Sequence, residues 1–234
     1  MANRPSLAII PARKNSKRLP DKNLLKVGDK CLLERSIEFA RKTGYEVIVS
    51  TDCKKMRKLS LNEQVLCPWL RPKHLATDEA ASVDVVLHAL QWYEDTFGQE
   101  VENILLLQPT SPFRQLSDFL RAEEVLHNEP EVDSAVSISP LHHSPFWQFK
   151  IKNQRLDPLL DLSGVNKRSQ DLEETFALNG NIYLIRASTL KKKKQFITDS
   201  TYPIIIRDRS LSIDVDDKFD LMFANMLGEA LKKW

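Results

Sequence analysis

Short apolar runs alternate with amphipathic stretches along most of the chain. The runs at 7–10, 46–52, 103–108 and 133–139 are rich in Ile, Leu and Val, and most end in polar residues, which predicts buried strands. Weaker runs at 64–67, 181–185, 203–206 and 211–213 predict further short strands. Helical spacing lies between them. Residues 31–42 carry Leu32, Leu33, Ile37 and Ala40 on one face, and Gly44 stands where a helix-ending glycine belongs. A short basic helix is expected at 54–61. Residues 83–97 put Val86, Ala89, Leu90, Tyr93 and Phe97 on one side, with Ser82 as the expected N-cap and Gly98 at the end. Ser117 is expected to cap a helix reaching about 127, and 187–194 and 217–234 predict two more. Residues 27–30 read as a turn and 68–81 as a loop.

The rhythm breaks between 140 and 178, which fits neither a strand–helix nor a helix–strand unit and predicts a small excursion of extended hairpins. Elsewhere strands alternate with helices, so the expected class is α/β: three layers, with a mainly parallel sheet covered on both faces. The expected division is an α/β domain from 1–139 and 179–234, with 140–178 as an arm.

Composition narrows the function. At 234 residues and 42% hydrophobic, the chain suffices for one large domain with a full core. Basic and acidic residues nearly balance, 34 against 32, and the net charge of +2 argues against a general nucleic-acid binder. No aliphatic stretch is long enough to span a bilayer and no signal-peptide pattern follows Met1, so a soluble cytoplasmic protein is expected. Cys31, Cys53 and Cys67 lack C-x-x-C spacing and are expected as buried free thiols rather than a disulfide or zinc site. The four lysines at 191–194 read as a solvated helix end.

The cations are concentrated in one place. The first apolar run leads into a loop bearing Arg13, Lys14, Ser16, Lys17, Arg18 and Lys22. In open α/β sheets ligands sit beyond the carboxyl ends of strands, so this loop is a candidate phosphate grip. It contains no glycine, which excludes both the P-loop and the dinucleotide fingerprint. Phosphate would be held by side chains as well as backbone: Arg13 as a planar fork, Lys17 and Lys22 as point charges, Ser16 as a hydroxyl donor. Near the other end of the chain, Asp214-Val-Asp216 places two carboxylates on one side of an extended segment. Hard oxygens of this kind suit Mg²⁺, although a D-x-D is also found in turns and helix caps.

Five blocks, in order, resemble the cytidylyltransferases that activate sialic acids and related nonulosonates. They are Ala12-Arg13-x-x-Ser16-Lys17-x-x-x-x-Lys22-Asn23; Arg71-Pro72 with Leu75-Ala76-x-Asp78 and Ser82; Leu106-Leu-Gln108-Pro-Thr110-Ser111-Pro-Phe113-Arg114; Asn179-Gly180-x-Ile182-Tyr183; and Ser212-Ile-Asp214-Val-Asp216. The resemblance implies a Rossmann-like nucleotidyltransferase fold with a small extended dimerisation arm, and hence a homodimer. The reaction it implies joins CTP and a nine-carbon keto-sugar acid into a CMP-sugar and pyrophosphate, through attack of the anomeric hydroxyl on the α-phosphate. It also implies residue roles. Arg13, Ser16, Lys17, Lys22 and Asn23 would handle the triphosphate, with Lys17, Lys22 and Asp214 catalytic. Arg71, Ala80 and Ser82 would receive the base and ribose. Gln108, Thr110, Ser111, Arg168, Tyr183 and Phe196 would face the sugar, and Asp214 and Asp216 would hold Mg²⁺.

The pattern departs from the family in the arm. Trp147 and Ala177 stand where basic residues are usual, and Ser169 fits a third basic position better than Arg168. N-acetylneuraminate, legionaminate and related nonulosonates therefore all remain open as substrates. The alternatives are a pseudaminate or 3-deoxy-octulosonate enzyme, or a non-catalytic binding module of the same fold. The aromatic residues Phe146, Trp147, Phe149 and Phe176 fit an interface core. His142 and His143 are expected to be structural.

Overall fold

The computed structural model describes residues 4–14, 16–141 and 143–231. Strand β1 (Leu7–Pro11) is followed by a tight hairpin of β2 (Lys26–Val27) and β3 (Lys30–Cys31). Next come α1 (Leu32–Lys42), β4 (Glu46–Ser50), α2 (Lys54–Asn62), α3 (Ser82–Phe97) and β5 (Asn103–Leu106). The chain continues through α4 (Leu116–Asn128) and β6 (Ser134–Pro140), then leaves the sheet. A separate antiparallel hairpin, β7 (Phe149–Lys152) and β8 (Arg155–Pro158), precedes the long β9 (Phe176–Arg186). The chain closes with α5 (Ala187–Lys193), β10 (Thr201–Ile205) and α6 (Lys218–Ala230).

Six strands form the main sheet in the order β10-β6-β9-β5-β1-β4. β9 runs antiparallel to both neighbours, and the other pairs are parallel. Alternation along β1 divides the core, because successive side chains point to opposite faces. Ala8 and Ile10 pack with Leu33 and Ile37 of α1, Met56 of α2 and Phe119 of α4. Leu7 and Ile9 pack with Val86 and Leu90 of α3 and Leu190 of α5. This is the three-layer α/β arrangement. A third cluster, with Leu19, Phe113, Leu211, Ile213 and Val215, lies beneath α6. It anchors the loops that carry most of the candidate site.

β1 lies between β4 and β5, and the helices α1 and α3 that precede those two strands cover opposite faces. Chain leaving the carboxyl ends of β1 and β5 therefore diverges, and a crevice opens there.

Several sequence expectations change. Residues 64–67 form no strand; a single bridge joins Leu66 to Ile48. Residues 211–213 form none either. Their alternating apolar side chains enter the third cluster, but Val215 N–H donates to the Thr110 carbonyl (2.8 Å) rather than to a sheet partner. Ser82 and Ser117 lie inside their helices, and the N-cap positions belong to Ala81 and Gln115. Asp217, not Asp216, caps α6, through a capping box with Asp220. Cys31, Cys53 and Cys67 are buried free thiols, and burial raises Cys31 and Cys67 to about 11. Lys191 and Lys193 are ion-paired, to Glu94 (2.7 Å) and Asp133 (2.7 Å), rather than only solvated. His142 lies outside the described residues; His143 is exposed. Among the described residues no helix is long and apolar enough to cross a membrane.

Candidate active site

The first loop is held by the strands beside it. Ala12 N–H continues the ladder to the Ser50 carbonyl (2.9 Å), and Lys14 N–H donates to Asp52 (2.7 Å). Asn23 is buried, and its amide donates to the Arg13 carbonyl (3.0 Å), fixing the two ends of the loop to each other. The cations fall into two sets, each gathered by one carboxylate. Asp78 pairs with Arg13 and with Lys17 (2.8 Å). Asp216 pairs with Arg18 and with Lys22 (2.8 Å). The hydrogen bonds from Lys17 and Arg13 pull the Asp78 carboxyl below its usual range, and Asp78 in turn raises Lys17. For Asp216, burial pushes upward, but the hydrogen bond and charge of Lys22, helped by Arg18, leave it low.

The cleft beside this loop is a cavity of about 320 Å³. Arg13, Lys22 and Asn23 line it from the first loop. Arg71, Ala80 and Ser82 line it from the segment entering α3. Gln108, Thr110, Asp214 and Asp216 complete it. Lys17 stands outside, exposed on Asp78, and Ser16 is half-buried in the loop. Arg71 is buried, with its guanidinium committed to the framework. It donates to Ser50 Oγ (3.1 Å), to the Ser50 carbonyl and to the Leu75 carbonyl (3.4 Å). Burial lowers it to about 10. It braces the wall of the cleft that it also lines.

The Gln108–Arg114 segment turns around its last residue, Arg114, whose spacing in the sequence carries no signal of this role. Arg114 is half-buried, and its guanidinium donates to the carbonyls of Gln108, Ser111 (2.7 Å) and Asn181 (2.7 Å). Burial pulls its guanidinium pKa down, and the negative charge of Asp214 opposes that. Ser111 is fully buried, and its hydroxyl has no hydrogen-bond partner among the described residues. It sits behind Gly180, where an added Cβ would come within 3.0 Å of both Ser111 Oγ and Gln108 Oε1. Gly180 also has φ +78°, a backbone conformation that favours glycine.

Gly180 belongs to an irregularity where β9 slips against β6. Polar side chains satisfy the backbone there. Ser137 Oγ donates to Asn179 Oδ1 (2.6 Å), and Asn179 Nδ2 donates to Ser139 Oγ (2.8 Å). Ser139 and Ser212 hydroxyls meet at 2.6 Å, and Asn181 Nδ2 reaches the Leu211 carbonyl (2.8 Å). The bulge thereby fixes the segment that delivers Asp214 and Asp216. Asp220 accepts the N–H groups of Asp216 (2.9 Å) and Asp217 (3.0 Å), which locks the end of that segment.

Asp214 keeps a solvent-facing surface but stands low in the cleft. Burial raises its carboxyl above the usual range; the Thr110 hydrogen bond opposes this and the Asp216 charge adds to it. A divalent cation would relieve that repulsion. Among the described residues no three or more His, Cys, Asp or Glu side chains form a cage. Two carboxylates alone fit Mg²⁺, which usually takes one or two and completes its shell with water and phosphate.

A second and larger cavity, about 1140 Å³, opens on the other side of Asp214. Gln108 and Asp214 line both cavities, and Tyr183 lines the larger one with Asn179 and Gly180. Phe196 does not reach it; its ring packs against Tyr183 at 5.8 Å between centroids. Arg168 is exposed on the excursion and lines neither cavity. Phe146, Trp147, Phe149 and Phe176 are half-buried in their own chain, and the exposed apolar side chains of the excursion are aliphatic.

The model of the cytidylyltransferase family matches residues 7–214. The chain is 34% identical to a CMP-N,N'-diacetyllegionaminic acid synthase of Legionella pneumophila, over 95% of this chain and 96% of that one. It is 32% identical to an N-acylneuraminate cytidylyltransferase of Streptococcus agalactiae, over 91% of this chain but 51% of that one, so it spans about half of that relative. A pseudaminic acid cytidylyltransferase of Campylobacter jejuni is 28% identical over 95% of both chains. Among solved structures, a CMP:2-keto-3-deoxy-manno-octonic acid synthetase complexed with CTP superposes with TM-score 0.69, covering 98% of this chain and 100% of that one. At 15% identity that likeness is one of fold.

Proposed function

The chain belongs to the cytidylyltransferase family, and from that membership we propose that it transfers CMP from CTP to a nonulosonic acid, releasing pyrophosphate. The observation that carries this is the meeting of the two cavities at Gln108 and Asp214. One cavity is lined by cations suited to a triphosphate and the other is large enough for a nine-carbon sugar. The anomeric oxygen forms its bond to the α-phosphorus at that junction, loses its proton, and the bond to the β-phosphate oxygen breaks. Arg13 and Lys22, which line the first cavity, offset the charge that grows on the departing pyrophosphate, and Lys17 stands at its outer edge on Asp78. Arg114 and Arg71 hold the loops in place. Asp214 and Asp216 would hold Mg²⁺, which when bound would screen the phosphate charge and acidify a coordinated hydroxyl. The near full-length similarity to a legionaminate enzyme supports a legionaminate-type acid as substrate. The reading further includes a homodimer joined through the 140–178 excursion and a cytoplasmic location.

The test is incubation with CTP, Mg²⁺ and separate nonulosonates (N-acetylneuraminate, N,N'-diacetyllegionaminate, pseudaminate, 3-deoxy-octulosonate), with pyrophosphate as the readout. Release with at least one is expected. CTP binding without release from any of them would refute catalysis and leave a binding module. Asp214→Asn is expected to lower kcat by at least 100-fold with an unchanged thermal midpoint; full activity would refute its role.

A further inference from the structure

The sugar of the proposed reaction is an acid, so its carboxylate needs a cation in the larger cavity. Three carboxylates already line that cavity: Asp208, Asp214 and Asp220. Another anion entering among them would be repelled unless a positive group received it. The basic residues lining it among the described residues are Arg207 and Arg209. Arg207 is taken: its guanidinium makes a two-pronged pair with Glu174 of the excursion, at 2.6 and 3.0 Å. Arg114, the buried guanidinium under the floor, is committed to backbone carbonyls. Arg209 is exposed in a single turn, Arg209–Leu211, and no carboxylate pairs with it among the described residues. Its turn is held by the Asp208 side chain, which accepts the Ser210 N–H (2.9 Å), and leads within five residues to Asp214.

We infer that Arg209 is the residue that receives the sugar carboxylate and so selects acids over neutral sugars. Its planar fork matches a carboxylate with two parallel hydrogen bonds. The Ser139 and Ser212 hydroxyls, paired at 2.6 Å on the same wall, leave one hydroxyl hydrogen to serve as a neutral donor for the ring beyond it. Arg207 acts differently: it fastens the excursion to the rim.

This assignment rests on the sugar-acid reading, and the test separates the two. Binding of each nonulosonate and of its C1 methyl ester is measured by calorimetry, with CTP present and divalent ions chelated. Wild type, Arg209→Gln, Arg209→Lys and Arg207→Gln are compared, and initial rates are then taken with Mg²⁺. Wild type is expected to prefer acid over ester by at least tenfold. In Arg209→Gln the preference falls to within twofold, with CTP affinity unchanged; Arg209→Lys restores part of it and Arg207→Gln keeps it. A preference that survives Arg209→Gln, or collapses in Arg207→Gln instead, overturns the assignment even where turnover is intact. Arg209-dependent acid binding without turnover leaves the assignment standing and removes the transferase reading. A wild type that binds no acid overturns both.

Discussion

Arg114 holds three backbone carbonyls with one side chain, and the geometry of the Gln108–Ser111 turn depends on it. Lysine in its place would keep the charge but lose the planar fork, leaving buried carbonyls unpaired. Each buried polar group left without a partner costs about 1–3 kcal/mol. Arg114→Lys is therefore expected to lower stability by about 2 kcal/mol, read as a lower urea midpoint. It should also cut kcat/KM at least tenfold under conditions where the protein remains folded. An unchanged midpoint would show that the carbonyls find other donors. Residue types at the right chain positions were legible in the sequence for Arg13, Lys22, Gln108 and Asp214, all of which line the cleft. The destination of a guanidinium was not. Arg71 and Arg114 look alike in the sequence to Arg13, and only tertiary packing shows that both also hold backbone carbonyls. Asp78 was quoted for its place in a block, yet its grip on Arg13 and Lys17 depends on two loops 64 or so positions apart meeting in space.

Elements are joined at the opposite end of the sheet by Asp133, which leads into β6. Its carboxylate accepts from Lys193 (2.7 Å) and Thr189 (3.0 Å) of α5 and from Ser200 (2.8 Å) before β10. Those bonds, Lys193 first, hold Asp133 down to about 2, below the unfolded value of about 4. A depressed carboxyl stabilises the fold fully above the unfolded value, and that contribution fades as pH falls from about 4 towards 2. Asp133→Asn should lose about 1–2 kcal/mol at neutral pH, with the gap to wild type closing below pH 3 in urea unfolding. A gap independent of pH would mean that shape, not charge, holds the crossover. At this scale the sequence was most legible where burial and period agree, as in β1, β4, β5 and α3. It misled where apolar alternation had a cause other than a sheet. Leu211, Ile213 and Val215 alternate because one side of an extended segment enters the cluster beneath α6. The antiparallel course of β9 was also hidden, because strand direction depends on how the excursion returns, and no local residue encodes that.

The whole molecule leaves an apolar surface without cover. The β7–β8 hairpin pairs Ile151 with Leu156 across its strands, and these are 81% and 70% exposed. Leu160 and Leu162 follow on the same excursion at 55% and 65%. A two-stranded hairpin is marginal in water by itself, and adjoining exposed aliphatics mark a contact surface. The excursion is tied to the body by the Arg207–Glu174 pair at the rim of the larger cavity, so a partner seated on it would stand beside the sugar side of the site. A second copy of the chain is the expected partner. Sedimentation equilibrium of the wild type at micromolar concentration should give the mass of two chains, and Ile151→Lys with Leu156→Lys should give one. Because Arg13, Lys22 and Asp216 come from a single chain, the monomeric variant should bind CTP within threefold of wild type. Its turnover should fall at least tenfold if the partner's excursion helps close the sugar cavity. A wild type that sediments as one chain would overturn the assembly. A monomeric variant with full turnover would keep the dimer but make each cavity complete within its own chain.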